Sequence, residues 1–170
     1  MGITTFGGLH TLVGLAALLC GFIALAQSKQ ILAGTRMGLA YLLLTLVTAV
    51  SGLFIFHHGG FGPPHVLSIL TILALAVGTV AARTALFGRL GKYIQAVCYS
   101  TTFMFHFIPG FTETLTRLPV GDPIANGPQS PILQGIFGVL FVIYFIGLAL
   151  QVWWLHKSAA TGAPSAATAG

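Results

Sequence analysis

The side chains best suited to chemistry in this sequence are its six histidines: His10, His57, His58, His65, His106 and His156. A neutral imidazole gives one ring-nitrogen lone pair to a transition metal and is the commonest side chain to do so. Two cofactor classes fit. A Zn, Cu or Fe ion would take three or four ligands from His10, His57, His58, His65 and His106, whereas haem b needs only a pair of axial histidines. The competing view is that His57, His58 and His65 are solvated residues at helix ends. Glu113, the only glutamate, is a candidate base or carboxylate ligand, and Arg117, four residues on, is its expected ion-pair partner on a helix. Cys20 and Cys98 sit mid-way along apolar segments with no charged neighbour, which predicts inert buried thiols. Cys-x-x-Cys-His, a Gly-rich phosphate loop and His-Glu-x-x-His are all absent, and a single aspartate, Asp122, allows no Ser-His-Asp set.

The elements that position these groups are set by composition. The chain has 170 residues, 56% of them hydrophobic and 5% charged. Soluble domains carry about 25% charged residues, so this chain cannot cover a water-facing surface. An all-α transmembrane bundle is the fold class expected, a single domain over 1–157 with the lipid bilayer as its first partner. A helix crosses the hydrocarbon in about 20 apolar residues. Five segments meet or approach that length, at about 5–26, 38–56, 64–82, 93–108 and 132–155. The first has no preceding Lys or Arg and is read as a retained helix, not a cleaved leader. The fourth is the most polar, and a break is expected at Pro109-Gly110, followed by a short interfacial helix over 111–118. The residues from 158 to 170 are small and polar and are expected to be a disordered tail. Seven basic residues spread thinly along the chain form no patch for nucleic acid.

If all five segments span, Lys29, Arg36, Arg83, Arg89, Lys92 and Lys157 share one side, and Arg117 lies opposite with both acids. The positive-inside rule then puts the N-terminus outside and the C-terminus in the cytoplasm. Five histidines fall at the outer end, and only His156 falls inside. Ionisable groups at membrane depth are costly and tend to mark function. On the first segment Gly7, His10, Gly14, Ala17, Gly21 and Ala24 form a small-residue stripe, which turns His10 toward the bundle. Tyr41, Thr45, Thr48 and Gly52 on the second segment, and Gln95, Cys98 or Tyr99, Thr102 and His106 on the fourth, form polar stripes. These predict either helix-to-helix hydrogen bonds or an interior for a planar ligand, a haem or a quinone, with Gly14, Tyr99 and Thr102 as contacts. The functional expectation is a metal centre, non-haem in preference to haem b, with a redox role linked to membrane quinone. The alternatives are a single-haem b-type electron-transfer protein and a non-catalytic accessory, lipid- or quinone-binding membrane subunit.

Gly-Thr-Arg-Met-Gly-Leu-Ala-Tyr at 34–41, the Ser-Gly-Leu-Phe-Ile helix end and the Gly-Phe-Gly-Pro-Pro-His turn resemble a family of uncharacterised bacterial membrane proteins. The resemblance covers the middle half of the chain and implies a multi-pass protein of the bacterial inner (plasma) membrane. In that family a His-Arg pair often follows Gly-Thr-Arg; here Met37-Gly38 follows directly, so the corresponding cytoplasmic-side ligand is missing. In helix count and histidine-bearing helix ends the chain is also similar to small membrane b-type cytochromes. Their two-haem arrangement would need histidine pairs at both faces, and the inner face has only His156.

Overall fold

The computed structural model describes residues 4–56 and 60–160. Five α-helices carry the fold: α1 Thr5–Ser28, α2 Arg36–Gly52, α3 Pro63–Arg83, α4 Gly91–Leu115 and α5 Pro131–Ala160, with a 3₁₀ turn at Gly88–Leu90 before α4. Among the described residues there is no strand. Three of the helices, α1, α3 and α5, are long and apolar enough to cross a membrane. At 17 residues α2 is about 25 Å long, short of the roughly 30 Å hydrocarbon thickness. Phe22, Leu43, Leu73, Val142 and Ile146 are among many large apolar side chains facing outward, a surface that suits lipid and not water.

Small residues explain how the helices meet. Ala17, Gly21 and Ala24 are the buried positions of α1, the stripe that the sequence predicts, and α1 packs mainly against α2. A Cβ at Gly21 would lie 2.8 Å from the Phe103 ring and 2.9 Å from that of Tyr41. Gly78 does the same for α3 on α4, its missing Cβ leaving the space occupied by the Tyr99 ring. The fifth helix packs on α4, outside the other four.

Polar ties close the bundle at one end. Gln151 on α5 donates to the Lys29 carbonyl at 2.7 Å and accepts from the Ser100 hydroxyl at 2.8 Å. Gln95 on α4 donates to the Ile31 carbonyl at 3.2 Å, and Lys92 reaches the Leu155 carbonyl at 3.4 Å. The end of α1, the start of α4 and the end of α5 therefore lie together, as an alternating up-and-down path requires.

Three boundaries differ from expectation. The helix does not break at Pro109-Gly110; α4 runs through Pro109 to Leu115, so no separate helix forms over 111–118. Proline removes one N–H but leaves the following turn able to make its own bonds, and the real stop is Pro119, which bars its predecessor from helical backbone. The second helix ends at Gly52, four residues early, where Leu53, Phe54 and Ile55 bond to carbonyls three residues back in a tightened turn. The last helix continues to Ala160, so 158–160 are helical; the rest of the expected tail lies outside the described residues.

Candidate functional site: a histidine pair between α1, α2 and α4

His10 lies in the second turn of α1 and turns inward, its Nδ1 2.8 Å from the Ser51 hydroxyl at the end of α2. That hydroxyl has a single hydrogen, which it donates to the Thr48 carbonyl at 3.0 Å. Ser51 must therefore accept from His10, whose Nδ1 carries the ring hydrogen and whose Nε2 keeps a lone pair. Gly52, the next residue, makes room for Ser68 of α3 and leaves His10 in ordinary contact. A Cβ there would stand 2.6 Å from Ser68 Oγ on α3 and 3.5 Å from His10 Cε1.

His106 is deeper than the sequence suggests, because α4 continues for two further turns beyond it. Its Nε2 lies 3.1 Å from the Thr45 hydroxyl of α2, and its ring is 6.1 Å from that of Tyr41. Below this the polar stripes meet. Tyr41 and Thr102 are fully buried, with their hydroxyls 2.7 Å apart. Since Thr102 donates to the Tyr99 carbonyl at 2.8 Å, Tyr41 donates to Thr102. Tyr99, also fully buried, is 3.0 Å from the Thr79 hydroxyl. Tyr99 and Thr102, expected as cofactor contacts, thus use their polar atoms in helix-to-helix bonds. Gly14 lies across from His106: a Cβ on it would be 4.0 Å from His106 Nδ1 and 3.6 Å from Thr48 Cγ2. A methyl group would fill that space in ordinary contact with both.

His106 thus faces α1 at Gly14, one turn along the helix from His10. Glu113 lies seven residues after His106 on the same face of α4, half-exposed and paired with Arg117 at 2.6 Å as the spacing predicts.

His65 is held differently. It is buried in the first turn of α3, with ring centroids 4.6 Å from Phe56 and 5.2 Å from Phe61. Its Nδ1 accepts from the Gly62 amide at 3.1 Å, so the ring hydrogen is on Nε2, which has no hydrogen-bond partner. In this geometry the Gly62 amide occupies Nδ1, and Nε2 is the ring nitrogen left without a partner. His57 and His58 lie outside the described residues. Among the described residues no three His, Cys, Asp or Glu side chains are grouped to hold a metal ion; the described part of the site brings together two histidines. His156 is at the opposite end, its Nδ1 3.5 Å from the Tyr93 hydroxyl.

Sequence reasoning missed Ser51 and Ser68. Ser51 follows Thr48 at helical spacing, a signal that was available, whereas nothing in the sequence places Ser68 of α3 against Gly52.

Comparison with protein-family models finds no match to this chain, nor does comparison with curated proteins or with solved structures. The resemblance to the bacterial membrane family rests on its short motifs alone.

Proposed function

We propose that this chain is a five-span membrane protein, N-terminus outside and C-terminus in the cytoplasm, whose outer end binds a non-haem transition-metal ion through His10 and His106. The observation that carries the reading is the hydroxyl behind each ring. Ser51 fixes the His10 tautomer with its Nε2 lone pair outward. Thr45 stands between His106 Nε2 and the Tyr41 hydroxyl. When Thr45 donates to Tyr41, one unbroken run of donors leads from His106 through Thr45, Tyr41 and Thr102 to the Tyr99 carbonyl, and His106 Nδ1 keeps its lone pair. A partner on the far nitrogen is how ligating histidines are oriented and made more basic. Imidazole donors favour Zn, Cu or Fe, and the segment joining α2 to α3, with His57 and His58, begins at this end. The thin space over Gly14 favours an ion over haem b. A redox role with membrane quinone requires Cu or Fe, since zinc has no second oxidation state to use.

The test is metal analysis by mass spectrometry and an absorption spectrum on protein purified in mild detergent. About one Zn, Cu or Fe per chain without a Soret band is expected, as for a mononuclear site. His10→Ala and His106→Ala each abolish it, while His65→Ala and His156→Ala retain it. A stoichiometric haem spectrum overturns the non-haem assignment, and the absence of both metal and haem overturns the site.

A further inference from the structure

At the end opposite the histidines, a shallow groove runs between the start of α4 and the last turns of α5. Phe145, Leu148, Ala149 and Val152 make its floor, and Tyr93, Trp153 and His156 its mouth. The mouth is ringed by cations held over aromatic faces. Lys92 Nζ is 4.8 Å from the centre of the Tyr93 ring, and Lys157 Nζ is 5.4 Å from that of Trp153. On the neighbouring side Lys29 Nζ is 5.3 Å from the Trp154 ring. Aromatic rings at this level are what a helix places at the headgroup boundary.

The charge at this end is one-sided. The chain has two acidic residues. Glu113 is in the last turn of α4 and Asp122 in the connection from α4 to α5, both at the far end. The basic residues Lys29, Arg36, Arg83, Arg89, Lys92 and Lys157 lie at the other end. A mouth of ammonium groups above an apolar trough is complementary to a molecule with an anionic head and a hydrocarbon tail.

We propose that this groove binds one anionic phospholipid, with its phosphate between Lys92 and Lys157 at the mouth and an acyl chain along Phe145, Ala149 and Val152. Basic clefts between membrane helices recognise anionic headgroups in this way. The site is independent of the histidine pair and of any metal there.

Native mass spectrometry of the full chain in mild detergent, with phosphatidylglycerol or phosphatidylcholine added, tests the assignment. One phosphatidylglycerol should be retained per chain under conditions that strip phosphatidylcholine. K92Q/K157Q should weaken retention roughly twenty-five-fold, at about fivefold per lysine. R36Q/R83Q removes the same charge from the same end, at the start of α2 and the end of α3, helices that do not line the groove, and should leave retention within about twofold, since headgroup attraction falls off within a Debye length. Ala149→Trp fills the floor from an exposed helix face, keeps every lysine, and should also abolish retention, so the site can be judged even if the lysine variant fails to fold. Equal retention of the two lipids, or equal loss in both charge-matched double variants, overturns the proposal. So does displacement of the lipid by millimolar inorganic phosphate, which would make the ligand a free anion.

Discussion

Gly78→Ala is the sharpest test of the packing between α3 and α4. A Cβ at Gly78 would meet Tyr99 Cε1 at 2.6 Å and Cys98 Cβ at 3.1 Å, where ordinary contact begins at 3.4 Å. The Tyr99 ring cannot swing away cheaply. It is fully buried and its hydroxyl is tied to Thr79, and Cys98 meets the new methyl with an atom next to the α4 backbone. The helices must separate by a sizeable fraction of an ångström. Overpacking of this kind costs about 1–3 kcal/mol, and two contacts against a held ring argue for the upper half. Alanine returns about 1 kcal/mol through its better helix propensity, leaving a net loss of about 1–2 kcal/mol. Gly138→Ala on α5 is the matched control, because its Cβ would meet nothing within 4 Å and only the propensity gain remains. The two variants should therefore differ by about 2–3 kcal/mol, or roughly 5–10 °C in Tm for a chain of this size. Thermal unfolding in detergent, followed by circular dichroism, reads this directly. If Gly78→Ala melts at or above Gly138→Ala, the close approach described here is wrong.

Tyr41→Phe removes the donor to Thr102 from a fully buried pair. Interhelical bonds in membrane proteins contribute about 0.6–2 kcal/mol, so a loss in that range is expected in the same unfolding assay, and an unchanged midpoint would show that the polar stripes do not hold α2 to α4. Glu113→Gln breaks an ion pair in which both partners are substantially exposed. Such pairs contribute about 0–1 kcal/mol, so stability should barely change, and a fall beyond that range would mean Glu113 has a further role.

The parts of this fold legible in the sequence were those written as a period along one helix. The stripe through Gly14, Ala17, Gly21 and Ala24 predicts which side of α1 is buried, and the stripes on α2 and α4 predict the polar faces that meet, though not that Tyr41 would bond Thr102 or Thr45 would face His106. The failures lay where a local signal competes with its surroundings. Pro109 reads as a stop, yet the helix has reason to end only at Pro119. The pairing of His10 with Ser51 joins residues 41 positions apart, and a period along one helix says nothing about which turn of the next helix it will face. For His65 the sequence gives the residue but not its ring hydrogen. That is set by the Gly62 amide, which occupies Nδ1 and leaves Nε2 without a partner.

The gathering of Lys29, Arg36, Arg83, Arg89, Lys92 and Lys157 at one end also makes the bundle an electric dipole along its own axis. In a membrane that is negative on the side this end faces, the field and the dipole agree. Turning the bundle over would carry six positive charges against the potential, at about 2.3 kcal/mol per charge for each 100 mV. The sum is about 14 kcal/mol at 100 mV, comparable to the whole folding stability of a typical domain. Once inserted, such a chain is held in its orientation by the membrane voltage itself, and any site at its other end stays on a fixed side.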